Sequence, residues 1–371
     1  MKGLQCLPLA AAVAAAMPGD ATAGEDWTGG FVLGAQERTI LQDTPLNRDN
    51  FLGIRGSGTR AVALFEGRQL DFTWRVRTEA LHSDLNGTKG KAVLQELNRV
   101  FQLGEGASLS LGKRLYALDP AYINQPLGFL QKRTDLSDPL DTLGNSEGIP
   151  MAVLSWSGAR ASAAALHARQ AGGRVQSIVK FGYEFDGISA SMVLRRAHGE
   201  HAGIGATISA APADALSWYA SAYRSGGAER YTRATAGIVL TPPSLPKLQL
   251  EYAYNGQGMA DAEYEALRQQ AQSNLPPHVL AALASRLPNL GARQHYASLT
   301  LSKATGSWDC GGGVYLGLDD SSRVWHGQAD YALSTRTHLM LSAMRQQGKA
   351  GSERFLSPVK ETLAFRLRHA F

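Results

Sequence analysis

The chain has 371 residues, a formal net charge of +5 and 44% hydrophobic residues, so its length fits one large domain or two smaller ones. Mean hydropathy is slightly negative, and beyond the N-terminal segment no apolar run approaches the roughly 20 residues of a membrane-spanning helix. These features exclude a helical membrane protein, whereas 40 glycines suit a chain of many strands and turns.

The first 23 residues predict a cleaved signal peptide. Lys2 supplies a positive start, an alanine-rich apolar core runs from Leu7 to Met17, and Ala21-Thr22-Ala23 forms an A-x-A cleavage site. We therefore expect residues 1–23 to be removed on export. Residues 24–371 would then form the mature protein.

The cysteines and histidines do not indicate a metal or cofactor. Without the signal peptide, Cys310 is the lone cysteine, so no intramolecular disulfide can form. The nine histidines are scattered, and no Cys or His group has the spacing of a metal site. The sequence thus predicts neither a metal nor a cofactor.

From residue 31 onward, apolar and polar residues alternate with a period of two. Such alternation places successive side chains on opposite faces of a strand. Phe72, Trp74 and Val76 share one face of a predicted strand, and Arg75 and Arg77 share the other. The same alternation recurs in residues 175–185, 248–254 and 323–333. Many strands of this kind indicate an all-β fold with one apolar and one polar surface.

The connections between the predicted strands fall into two classes. Tight turns are predicted at residues 66–68, 104–106, 157–158, 185–187, 211–214, 241–246, 305–306 and 334–335. The connections between them include all the long ones, at residues 41–55, 82–91, 115–146, 256–293 and 346–357. Short turns at one end and long loops at the other are typical of a transmembrane antiparallel β-barrel. We expect about 18 strands, with about 16 as the alternative, because strand boundaries read from sequence are uncertain by several residues.

The last nine residues form a terminal strand pattern. Apolar residues stand at Leu363, Phe365, Leu367 and Phe371, and Arg366 and Arg368 lie between them. A terminal Phe preceded by alternating apolar residues resembles the insertion signature of Gram-negative outer-membrane β-barrels, although His369 departs from it. The resemblance implies location in the outer membrane, contact with lipid and lipopolysaccharide, and recognition of this strand by the barrel-assembly machinery.

Two long loops bear on function. Residues 115–146 form the third outward connection, which in porins commonly folds into the barrel as a constriction. Its charged residues include Lys132, Arg133, Asp135, Asp138 and Asp141. The acidic residues lack the dense oxygen ligands of a calcium loop. The resemblance to porins predicts a constriction loop, and a solvated external loop is the alternative.

The other long loop, residues 256–293, predicts two helices. Residues 260–272 and 278–287 have helical patterns, separated by Pro276 and Pro277 and stopped by Pro288. A helical insertion at this position could cap the barrel, plug it or decorate its surface. The sequence leaves these three alternatives open.

The predicted inner face of the barrel is rich in basic residues. Its cations are Arg75, Arg77, Lys180, Arg233, Arg366 and Arg368, set against Glu79, Glu184, Glu251 and Asp330. Rings of charge in a narrow pore set ion preference, so the pattern favours anions. The alternative is that these charges pair with one another and leave little net field.

The overall plan resembles general and substrate-specific porins. Ser110-Leu111-Gly112-Lys113-Arg114 is also similar to a strand glycine and basic pair in the alginate export family. We expect a porin-like channel for small polar or anionic solutes. The alternatives are an export channel for an anionic exopolysaccharide and, further, an outer-membrane enzyme or structural barrel.

An enzyme is disfavoured by the spacing of its candidate groups. His338 and Ser342 share a strand face, but four residues at strand rise separate them by about 13 Å, too far for a hydrogen bond. We expect no nucleic-acid partner, and the oligomeric state stays open between monomer and homo-oligomer.

Overall fold

The computed structural model describes residues 26–40, 57–69, 71–83, 87–130, 147–169, 173–227, 230–272, 292–349, 351–356 and 359–370. The strands are β1 (Asp26–Ile40), β2 (Ser57–Gln69), β3 (Phe72–Ser83), β4 (Gly87–Gly104), β5 (Ala107–Arg114), β6 (Ile149–Ser157), β7 (Ala161–Arg169), β8 (Val175–Phe185), β9 (Ile188–Ala197), β10 (Gly203–Ala213), β11 (Leu216–Ser225), β12 (Thr232–Leu240), β13 (Lys247–Asn255), β14 (His295–Thr305), β15 (Trp308–Gly317), β16 (Ser322–Ala332), β17 (Thr337–Gln347) and β18 (Val359–Ala370). The described helices are α1 (Asp261–Gln272) and α2 (Glu353–Leu356).

The strands close into one antiparallel barrel. Each strand pairs with its sequence neighbours, and β1 pairs with both β2 and β18. The closing pair runs from Gly30 opposite Ala370 to Ile40 opposite Val359. Closure pairs both edges of the described sheet, whose backbone hydrogen-bonding groups would otherwise be exposed. The prediction of about 18 strands is confirmed.

Alternation gives every strand an outer face and an inner face. The exposed large hydrophobic side chains include Leu154 on β6, Leu194 on β9, Leu250 on β13 and Phe365 on β18. Their strand neighbours on the opposite face are buried or polar, as Arg366 is beside Phe365. An outer surface of this composition suits contact with lipid rather than water.

Aromatic residues concentrate on the outer face near the short turns. Trp156, Tyr183 and Phe185 lie beside the turns of β6–β7 and β8–β9 and are exposed. Trp308 packs on Tyr331 with ring centroids 4.7 Å apart. Such rings match the girdle that outer-membrane barrels place at a membrane interface. Among the described helices, none is long and apolar enough to span a membrane.

The sorting of connections differs from the prediction at two places. The predicted turn at residues 66–68 is strand, because β2 continues to Gln69 and β3 begins at Phe72. Gly67 lies in the β2–β3 ladder opposite Trp74, and a Cβ at Gly67 would overlap the Trp74 indole. This glycine therefore gives room to a side chain and does not form a turn.

The second difference is the predicted long connection at residues 82–91. β3 continues to Ser83 and β4 begins at Gly87. His82 pairs directly with Thr88, and the His82 Nδ1 to Thr88 Oγ1 distance is 2.9 Å. Polar residues continue the β3–β4 ladder here because cross-strand hydrogen bonds satisfy them. Their hydrophilic composition is therefore the reason that the sequence predicted a loop at residues 82–91.

We call the two rims of the barrel the short-turn end and the long-loop end.

Candidate functional site: the lumen and its inward loop

Residues 115–130, which we call the inward loop, lie inside the barrel. The loop leaves β5 and contacts the inner faces of strands on opposite sides of the wall. Leu127 and Leu130 are fully buried with Leu166, Ile178 and Val193 of β7 to β9. Ile123 of the same loop packs instead against Tyr296 and Tyr315 of β14 and β15. A segment that touches both walls must cross the lumen.

Glu251 on β13 holds the middle of the inward loop. Its carboxylate accepts hydrogen bonds from the backbone N–H of Asn124 at 2.8 Å and of Tyr122 at 3.1 Å. The hydroxyl of Tyr219 donates to the same carboxylate at 2.6 Å. Glu251 is 3% exposed, so these donors compensate for the cost of burying its charge. The arrangement fixes the loop backbone to the wall.

Neighbouring polar side chains complete this attachment. Thr235 donates its hydroxyl to the Asn124 carbonyl at 2.8 Å, and the Tyr315 hydroxyl donates to Asn124 Oδ1 at 3.2 Å. β12, β13 and β15 thus all hold one loop residue. Because Asn124 is bound through its backbone and side chain together, the loop has a defined position in the lumen.

Asp119 organises the inward loop from within. One carboxylate oxygen accepts the N–H of Ala121 at 3.0 Å and the other accepts the N–H of Leu127 at 2.8 Å. Burial raises the pKa of Asp119, and these two hydrogen bonds oppose that rise. The carboxylate joins the outgoing and returning arms of the loop into one unit.

Aromatic and basic residues hold the returning arm. The Phe129 ring lies 4.5 Å from the guanidinium carbon of Arg195 and 5.5 Å from that of Arg233. Tyr223 meets the same ring edge-on at 4.7 Å between centroids. Arg195 also pairs with Glu200 at 2.6 Å. Cation–π contacts of this kind stabilise by about 0.5–2 kcal/mol each.

The wall beneath Leu127 is shaped to receive it. Gly205 on β10 faces the loop, and a Cβ there would overlap the Leu127 side chain. The pairing register also sets Gly205 opposite Val193 and Tyr223. The small residue thus allows the loop to pack against the barrel wall.

The structure places the predicted lumen cations on the inner face but neutralises several of them. Arg75 pairs with Glu66 at 2.7 Å and with Glu96 at 3.2 Å. Arg77 is buried and pairs with Glu79 at 2.9 Å. Their strand neighbours Trp74 and Val76 lie on the opposite face. Pairing of this kind weakens the field that each arginine projects into the lumen.

The remaining predicted cations have different surroundings. Arg233 lies in the aromatic cluster around Phe129, and buried Arg366 donates to Ser342 Oγ at 3.4 Å. Within the described part of the chain, neither Lys180 nor Arg368 has an ion-pair partner within 4 Å, Lys180 being half-buried and Arg368 exposed. The predicted constriction residues Lys132, Arg133, Asp135, Asp138 and Asp141 lie outside the described residues.

A second group of residues occupies the long-loop end. Arg293 is buried, forms an ion pair with Asp261 at the start of α1, and lies 4.7 Å from the centroid of the Tyr264 ring. The Tyr296 hydroxyl donates to buried Glu353 at 2.8 Å. We call α1, Arg293 and α2 the helical cluster. The second predicted helix of this loop lies outside the described residues.

The helical cluster contains one buried acid whose pKa is shifted. Burial raises the pKa of Glu353, and the adjacent Arg354 guanidinium, 3.2 Å away, opposes the rise. Among the described residues, no group of three or more acidic, His or Cys side chains is arranged to hold a metal ion.

Sequence reasoning missed most of the residues that position the inward loop. Asp119, Phe129, Arg195 and Tyr219 were not predicted as site residues, although Glu251 was assigned to the inner face. A signal for the loop was present in the sequence. Apolar Leu127, Phe129 and Leu130 occur in a connection that would otherwise be solvated, and such side chains need a packing partner.

Comparison with solved structures finds a similar barrel fold. OccK11 (OpdR) of Pseudomonas aeruginosa is similar over 94% of this chain and 96% of its own length, with a TM-score of 0.57 and 9% identity. The likeness concerns the fold, a closed antiparallel β-barrel. A triple mutant of the Rhodopseudomonas blastica porin is similar over 94% of this chain and 100% of its own, at TM-score 0.46 and 13% identity. No protein-family model and no curated protein sequence matches the chain.

Proposed function

We propose that the protein is an outer-membrane channel through which small polar or anionic solutes diffuse. The observation that carries the proposal is the inward loop, which crosses a closed barrel and is fixed to the far wall by Glu251. A barrel that served only as a membrane anchor would not need a loop of defined position inside its lumen. A loop so fixed narrows the lumen without depending on any moving part.

The charges of the lumen support a weak preference for anions. Paired arginines such as Arg75 and Arg77 contribute little net charge beside their glutamates, whereas Lys180 and Arg368 add positive charge to the inner wall. Screening limits the reach of these charges, because the Debye length is about 8 Å at physiological salt. The expected selectivity is therefore stronger at low salt.

The proposed function also implies how the chain is exported and what its barrel contacts in the membrane. Residues 1–23 would direct export and be cleaved. The outer face would contact lipid and lipopolysaccharide, and the assembly machinery would recognise β18. The protein acts as a channel and not as an enzyme: His338 on the inner face is bound to Asp330 at 2.8 Å, and Ser342 instead receives a hydrogen bond from Arg366.

Two measurements test this function. Liposomes containing the purified protein should swell in small sugars and amino acids, and the rate should fall steeply as solute size increases. In planar bilayers, zero-current potentials across a KCl gradient should show a modest preference for chloride. Equal swelling with and without protein would refute the channel.

A double substitution, Arg75→Gln with Arg77→Gln, examines the charge contribution. It leaves Glu66, Glu96 and Glu79 without these partners, so chloride preference should fall, and more at low salt than at high salt. Arg345→Gln is the matched control, because Arg345 pairs with Glu361 at 3.3 Å in a solvent-exposed position and shares the outer face with Trp325. An unchanged chloride preference at low salt in the double variant would show that these arginines do not border the conducting path.

A further inference from the structure

Below the inward loop, a cavity of about 450 Å³ lies against the inner faces of β7 to β10. The loop residues Leu118, Asp119 and Pro120 form its roof, and the β6–β7 turn lies at its short-turn side. Its volume falls in the range of small-molecule sites, which is about 300–1,000 Å³. The cavity therefore has room for a small solute on the path through the lumen.

The pairing register arranges the wall of this cavity in three rungs. Nearest the loop, Lys180 lies opposite Ala164 and Val193. In the middle, Gly182 lies between Ser162 and Ser191, and Ser191 is opposite Thr207. Nearest the short-turn end, Glu184 is opposite Ser189, which is opposite Ser209. The strand wall thus carries an ammonium at one end, hydroxyls in the middle and a carboxylate at the other end, and Arg160 of the β6–β7 turn also lines the cavity beside that carboxylate end.

The ammonium is available for a ligand. Within the described residues, Lys180 has no carboxylate within ion-pair distance, although Asp119 is near enough to interact with it electrostatically. The Asp119 oxygens are themselves engaged by the N–H groups of Ala121 and Leu127. Lys180 is half-buried, so an ion pair with a bound anion would be screened less than one in open solvent.

The hydroxyls of the middle rung and the Glu184 carboxylate determine which chemical groups a ligand should carry beyond the anionic group that pairs with Lys180. Ser191 and Thr207 share a hydrogen bond of 2.7 Å, and Ser189 donates to Glu184 at 3.2 Å. Hydroxyl groups can donate and accept at once. The Ser and Thr side chains of this surface can therefore replace their hydrogen bonds to one another with hydrogen bonds to a hydroxylated ligand. Gly182 has no side chain, and the Ser162 hydroxyl lies where a Cβ at this position would stand.

We propose that this cavity is a binding subsite for a hydroxylated monocarboxylate, that is, a hydroxy acid or sugar acid. Its carboxylate would pair with Lys180, its hydroxylated chain would lie over the middle rung, and its far hydroxyls would donate to Glu184. Four residues of strand separate Lys180 and Glu184 by about 13 Å between Cα atoms, which accommodates a six-carbon acid together with both contacting side chains. A second carboxylate would meet Glu184 and be repelled.

The subsite rests on the proposed channel function for its biological sense, but its binding can be measured separately. Calorimetric titration of the folded, detergent-solubilised protein would compare three probes: gluconate, hexanoate and glucarate. Gluconate should bind more tightly than hexanoate, which lacks hydroxyls, and more tightly than glucarate, which has a second carboxylate. Equal binding of gluconate and hexanoate, or no binding of gluconate, would overturn the proposal.

Three variants locate the effect. Lys180→Gln should weaken gluconate binding about tenfold, because a hydrogen bond to a charged group is lost, while Lys180→Arg should retain most of it. Lys303→Gln removes the same charge at a site where Lys303 binds the Ser244 carbonyl, outside the cavity, and should change nothing. Heat-modifiable electrophoretic mobility would verify that each variant is folded.

Glu184→Gln supplies a gain of binding, which a misfolded variant could not mimic. Removing the repelling carboxylate should bring glucarate binding close to that of gluconate. If Glu184→Gln did not gain glucarate binding and Lys180→Gln kept its gluconate binding, the assignment of this cavity as the subsite would be refuted. In bilayers, gluconate should also block chloride current through the intact protein. An intact protein that binds gluconate but carries no current would contradict the channel function while supporting the subsite.

Discussion

Replacing Glu251 by alanine should release the middle of the inward loop. The carboxylate accepts hydrogen bonds from the Asn124 N–H at 2.8 Å, the Tyr122 N–H at 3.1 Å and the Tyr219 hydroxyl at 2.6 Å. A hydrogen bond to a charged group contributes about 1.5–3 kcal/mol. Hydrogen bonds to water in the lumen would replace part of this free energy. We therefore expect the free energy that attaches the loop to fall by about 3 kcal/mol, which increases the population of the released loop about a hundredfold.

Single-channel recordings would detect this release. The intact protein should give steady current steps, whereas Glu251→Ala should show frequent fluctuations between current levels. Glu251→Gln retains the shape and one acceptor oxygen, so its fluctuations should be intermediate. This second variant also covers the case in which the alanine variant fails to assemble.

The matched control is Glu361→Ala. It removes an exposed glutamate that pairs with Arg345 in the β17–β18 ladder, and its current should resemble that of the intact protein. If Glu251→Ala folded and gave steady currents at the intact level, the attachment of the loop by Glu251 would be refuted.

Three further predictions concern assembly, pH and topology. Deleting Phe371 should reduce the amount of folded, heat-modifiable protein in the outer membrane, because the alternating apolar pattern of the terminal sequence ends on this residue; normal levels would contradict this. Burial raises the pKa of Glu353, so its ionised form is disfavoured in the folded state and the helical cluster should lose stability as pH rises through that raised pKa. Thermal unfolding of Glu353→Gln should depend less on pH than that of the intact protein, and an identical pH profile would exclude the effect. A peptide tag inserted after Gln272 should be accessible on intact cells and one inserted after Asp71 should not; the reverse labelling would invert the proposed orientation.

The barrel could be predicted from the sequence because its main signal is local. Lipid contact and lumen contact alternate along each strand, so residues such as Phe365 and Arg366 are assigned to opposite faces without knowledge of their partners. Strand count follows once the turns are found. The errors at Gly67 and His82 arose where a turn-forming or polar residue served the ladder instead.

The attachment of the inward loop could not be predicted in the same way. Asn124 and Glu251 lie 127 positions apart in the chain, and no local pattern links them. The pairing of Arg75 with Glu96 depends on a β-bulge, because the register shifts there and Gln95 is left as the extra residue. A sequence shows that Arg75 faces inward but not that glutamates neutralise it.

The conductance of a loop-shortened variant tests the proposed channel most directly. Replacing residues 117–145 with a short Gly-Ser linker removes the inward loop together with Asp119, Asn124 and Phe129. In planar bilayers the intact protein should open as discrete chloride-preferring steps, and the shortened variant should open as clearly larger steps with less preference between ions. Steps of equal size in the two proteins, or no conductance from either correctly folded protein, would contradict a lumen narrowed by this loop.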